Sequence, residues 1–85
     1  MVVVDWTRFD PAEFEVEFNE RKLLAHGITV SEAAEVIWNG FRPLRDKGHP
    51  GRYLLFGRTD GGRPLALVAV DLREKRLRII TGWTL

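Results

Sequence analysis

At 85 residues, 45% apolar and 29% charged, the chain has the length and make-up of one globular domain spanning residues 1–85. It holds no cysteine, which excludes disulfides and cysteine-bound metals, and its two histidines lie too far apart for a metal-ligand spacing. A net charge of +1 hides a division: residues 1–40 carry three basic and eight acidic side chains, residues 41–85 carry ten and four.

The opening MVVVDW is apolar for only three residues after Met1, too short for a signal peptide or a membrane span. The expected compartment is therefore the cytoplasm, with no membrane partner. Val2, Val4 and Trp6 alternate with Val3 and Asp5, which predicts a short first strand. Asp10-Pro11-Ala12-Glu13 is a helix start signal, with Asp at the N-cap, Pro at the first helical position and Glu at the third. A helix from there would run to about Ala25 and stop at His26-Gly27, where glycine suits a left-handed cap. Phe14, Val16 and Phe18 alternate with Glu15 and Glu17, so the rival reading is a strand at 14–18 and a short helix at 19–25. The capping signal favours the long helix.

Thr29-Val30-Ser31-Glu32 opens a second helix, with Ser31 as the expected N-cap and Asn39-Gly40 as the stop. Residues 41–51, FRPLRDKGHPG, read as a basic loop. Three strands follow at 52–57, 65–71 and 76–83, with turns at Thr59-Asp60-Gly61-Gly62 and Arg73-Glu74-Lys75. With tight turns, Leu54, Val68 and Ile79 lie abreast and, with Phe56, Ala66, Val70 and Leu77, face the helices. Tyr53, Ala69 and Arg78 then lie on a partly wet face with Arg76. The expected fold class is α+β: a short N-terminal strand, two helices, then a three-stranded antiparallel meander.

Several segments in order carry a resemblance: Phe9-Asp10-Pro11, then Lys22 and His26-Gly27-Ile28-Thr29, then Glu32-Ala33, then Gly57-Arg58-Thr59-Asp60-Gly61-Gly62-Arg63, then Arg78-Ile79-Ile80-Thr81. Together they resemble the BrnT family of toxin–antitoxin proteins over nearly the whole chain. The resemblance implies a RelE-like fold and metal-independent endoribonuclease activity that inhibits translation. It also implies a hetero-oligomer with a small BrnA-like antitoxin of the ribbon-helix-helix type. The chain departs from the pattern at Ala25, where the family has a lysine before His-Gly, and at Trp83, where it has a second arginine. The family's C-terminal helix does not follow within the 85 residues.

RNA cleavage without a metal requires a 2′-hydroxyl to lose a proton, a 5′-oxygen to gain one, and the phosphorane charge to be stabilised. Guanidinium groups serve the last need, because they stay charged and grip phosphate bidentately. The resemblance assigns Arg58 and Arg78 as catalytic candidates; the alternatives are a turn-flanking arginine for Arg58, and a solvated residue or an ion pair with Asp71 or Glu74 for Arg78. His26 is the candidate acid or base, against a helix-terminal cation. Arg52, Arg76, Lys22 and Tyr53 are RNA-binding candidates, Tyr53 by stacking on a base. No cofactor and no metal are expected. Two further readings stand beside the toxin: an inactive relative that keeps the partner surface, and a basic nucleic-acid-binding domain.

Overall fold

The computed structural model describes residues 4–85. A single five-stranded mixed sheet in the order β1-β5-β4-β3-β2 is covered on one face by two helices, an α+β arrangement. The strands are β1 (Glu15–Phe18), β2 (Phe41–Arg45), β3 (Arg52–Arg58), β4 (Pro64–Arg73) and β5 (Arg76–Thr84); the helices are α1 (Glu20–Ala25) and α2 (Val30–Asn39).

The N-terminal third departs most from expectation. The predicted first strand lies partly on residues 1–3, outside the described residues, and Trp6–Arg8 forms a 3-10 turn. The Asp10 signal is genuine, since its carboxylate accepts from the Ala12 amide at 2.9 Å, but it opens one 3-10 turn over Pro11–Glu13 and not a long helix. The alternation from Glu15 to Phe18 prevails instead. This segment pairs in parallel with β5, Val16 opposite Leu77 and Phe18 opposite Ile79, which buries half its side chains and leaves Glu15 and Glu17 exposed. Asn19 caps the real α1 by accepting from the Lys22 amide at 3.1 Å.

The N-cap of α2 is Thr29, two residues before the expected Ser31. Only that choice puts Glu32 at the third helical position, where its carboxylate accepts from the Thr29 amide at 3.0 Å while the Thr29 hydroxyl accepts from the Glu32 amide at 3.1 Å. The predicted loop at 41–51 begins with a strand. β2 pairs antiparallel with β3 and tolerates Pro43 because it is an edge.

The three C-terminal strands form as expected, and Leu54 opposite Val68 and Tyr53 opposite Ala69 are in the expected register. The third strand is not. Val68 pairs with Thr81 and Ala69 with Ile79, so Ile80 is an extra residue in a bulge. A one-residue slip exchanges the faces of a strand. Ile79 therefore joins Tyr53 and Ala69, and Arg78 falls opposite Val70.

The face assignment is reversed as well. The residues packed against Leu23, Ile28, Ala33, Val36 and Ile37 are Tyr53, Leu55, Leu65, Leu67, Ala69 and Ile79. Of the set expected beneath the helices, Leu77 alone shares the parity of Ile79. Leu54, Phe56, Ala66, Val68 and Val70 lie on the far side. Two glycines show how closely the helix layer sits: a β-carbon at Gly57 would stand 2.9 Å from Val36 Cγ1, and one at Gly82 would stand 3.4 Å from Ile28 Cδ1.

Candidate nucleic-acid interface

No helix covers the second face of the sheet, and its composition follows from the register. One row across the strands runs Arg42, Phe56, Ala66, Trp83. The next runs Leu44, Leu54, Val68, Thr81. A third runs Arg52, Val70, Arg78 and on to Glu17 of β1. The middle is apolar and the ends of the rows are cationic. Trp83 is 38% exposed and Leu44 53% exposed, while Ala66 between Phe56 and Trp83 is fully covered. A small residue flanked by two aromatics presents their rings as a shallow platform.

Such a face suits a single strand of nucleic acid. Every base has a π-face to lay on an aromatic ring, and arginines at the margins meet the phosphates. Arg52 and Arg78 are separated by one strand, about 10 Å at ~4.8 Å per strand. Arg76 sits opposite Glu15 at the start of β5. Arg58 is at the far end of β3, six residues from Arg52, which at ~3.3 Å per residue is about 20 Å away. Its guanidinium donates to the Gly62 carbonyl at 2.9 Å and so braces the β3–β4 turn. Arg78 donates to Glu17 at 3.3 Å, across to β1 and not to Asp71 or Glu74.

The other predicted residues lie elsewhere. His26 caps α1 and belongs to the helix layer, as does Lys22 in the same helix. The fold thus sets Arg78 and His26 on opposite sides of the sheet. Tyr53 is buried on the helix side with its ring 5.1 Å from Trp6, in an aromatic cluster with Phe9 and Phe41, and has no open ring face for a base. Sequence reasoning missed Arg42, Phe56 and Trp83 as members of this face. Alternation along β3 groups Phe56 with Arg52 and Arg58, but only the bulge at Ile80 brings Trp83 into line with them.

Arg63, which follows the β3–β4 turn, has a structural duty. It donates to the Gly27 carbonyl at 3.0 Å, to Glu32 at 2.9 Å and to the Thr84 hydroxyl at 3.1 Å, which ties the start of α2 to the end of β5. The Thr29 amide and this guanidinium together hold the Glu32 carboxyl below its ordinary value of 4.5. A cleft of about 710 Å³ opens at the other end of the sheet, beside Phe14 and the Arg73–Lys75 turn. It is lined by cations and carboxylates in near balance, so it does not select for polyanions. Among the described residues no group of three or more His, Asp or Glu side chains is placed to hold a metal, and no helix is long and apolar enough to cross a membrane.

Compared with protein-family models, curated proteins and solved structures, the chain has no match in any of the three.

Proposed function

We propose that the chain acts on RNA, as the ribonuclease toxin of a toxin–antitoxin pair, and that the open sheet face receives the strand. The observation that carries this reading is the pattern of that face: Arg42, Arg52 and Arg78 around an apolar centre that holds Phe56 and Trp83. A phosphate between Arg52 and Arg78 would lie in reach of two fixed cations. Preorganised charge of this kind stabilises a developing phosphorane, and removing one such donor typically costs about 2.7–4 kcal/mol, or roughly a hundred- to a thousand-fold in rate. A BrnA-like antitoxin would restrain the protein, with the same exposed apolar strip as its most economical target.

One observation favours a second reading, a relative that binds RNA or its partner without cleaving. The only histidine with a candidate catalytic role, His26, belongs to the helix layer, away from the arginine rows. Expression in bacteria separates the two. Growth arrest that a co-expressed neighbouring antitoxin relieves, and that Arg78→Ala abolishes, is the toxin's result. Normal growth at high expression, with RNA left intact by purified protein, rules out the toxin and leaves the binding module.

A further inference from the structure

β1 is an acidic strand laid beside the most basic stretch of the sheet. Glu13, just before it, accepts from Lys75 at 2.6 Å; Glu15 stands opposite Arg76; Glu17 accepts from Arg78 at 3.3 Å. Of these cations, Arg78 shares the open face with Arg52, in the row that runs through Val70. Its pairing with Glu17 is made through one terminal nitrogen, with the two side chains 52% and 50% exposed. An ion pair that exposed is weak and is exchanged readily for a better anion. A phosphate offers three oxygens where Glu17 offers one.

We infer that Glu17 is a built-in competitor for the phosphate site at Arg78, a residue that sets the affinity and the edge of the RNA footprint. This rests on the RNA reading of the open face. With Glu17 in place, a strand must displace a carboxylate to engage Arg78 and meets a negative border at β1. Without it, Arg78 is free to take a phosphate. The protein thus carries an anionic stop on one side of the platform, while the opposite edge, with Arg42 on β2, is open to the strand.

The test measures binding of a 12-nucleotide oligouridylate to the full chain by fluorescence anisotropy over a range of salt. Glu17→Gln should bind about two- to five-fold tighter than the unmodified chain at low salt, the factor expected from releasing an exposed ion pair. Its salt dependence should steepen by about 0.7 in log–log slope, one more phosphate contact to a single strand. Glu20→Gln removes the same charge from α1, off the face, and should do neither. In an Arg78→Gln background Glu17→Gln should lose its effect. If Glu17→Gln and Glu20→Gln behave alike, or if the gain persists without Arg78, the inference is overturned while the RNA reading stands. If the unmodified chain and Glu17→Gln both fail to bind the oligonucleotide at low salt, the RNA reading falls and takes the inference with it.

Discussion

Gly82→Ala tests the registration on which every statement about the open face depends. Gly82 lies opposite Leu67 and points at the helix layer. A β-carbon there would stand 2.8 Å from the Ala66 carbonyl oxygen and 2.8 Å from Leu67 Cδ2, with Ile28 Cδ1 at 3.4 Å. Leu67 can shift, but the Ala66 oxygen is part of the β4–β5 ladder and cannot move alone. Overpacking of this kind typically costs about 1–3 kcal/mol. Alanine also restricts the unfolded chain, which returns about 0.4–1 kcal/mol. The net loss is about 1–2 kcal/mol, and at roughly 4–8 °C per kcal/mol for a domain of this size the melting temperature falls by about 4–16 °C. Gly61→Ala is the matched control, because its β-carbon would meet only the Thr59 hydroxyl at 3.9 Å. It should leave stability unchanged or raise it by about 0.4–1 kcal/mol. Thermal unfolding followed by circular dichroism measures both. A Gly82→Ala variant as stable as Gly61→Ala would refute the bulge at Ile80 and, with it, the placing of Trp83 beside Phe56.

Two other outcomes follow from local features. The β4–β5 turn puts three consecutive non-glycine residues, Arg73, Glu74 and Lys75, at φ of 68°, 55° and 59°. Glu74→Gly should therefore stabilise the fold by about 0.5–1 kcal/mol, the relief of left-handed strain less the entropy of an added glycine, seen as a higher urea midpoint at unchanged slope; a lower midpoint would contradict it. The second concerns pH. The Glu32 carboxyl is held below 4.5 in the folded state by the Thr29 amide and Arg63, so its contribution is present above that pH and is lost as pH falls through the lowered folded value. Glu32→Gln keeps a side-chain acceptor for the Thr29 amide but not the charge, and should flatten the acid limb of stability against pH in urea titrations; an unchanged acid limb would count against the Arg63–Glu32 tie.

What the sequence made legible was local. β3, β4 and the body of β5 alternate strongly, and α2 carries its own stop at Gly40, so these elements are readable without knowing their partners. β1 and β2 are edges, four and five residues long, whose strand character depends on the neighbour they pair with. In β1 a true but short capping signal at Asp10 competed with an equally true alternation. In β2 the Pro43 that reads as a loop marker is tolerated on an edge strand. The site was half legible. Arg52, Arg76 and Arg78 were visible as candidates for a wet face, and all three fall on the open face, but their company was not. A single extra residue, Ile80, decides which side Ile79 and Trp83 occupy, and nothing local in Arg78-Ile79-Ile80-Thr81 announces it. Tyr53 shows the converse: a strand aromatic beside arginines in sequence points to the opposite side of the sheet from them.

The most direct test of the open face as an RNA surface is the salt dependence of oligouridylate binding in the unmodified chain, in Arg52→Gln/Arg78→Gln and in Arg21→Gln, whose charge is removed from α1 in the helix layer. The account predicts that the double variant binds at least about ten-fold more weakly, as loss of charge-assisted hydrogen bonds requires, with the log–log slope shallower by about 1.4 for two lost phosphate contacts, while Arg21→Gln binds like the unmodified chain. Equal weakening by Arg21→Gln and by the double variant, with equal slopes, would show binding by net charge alone and would contradict it.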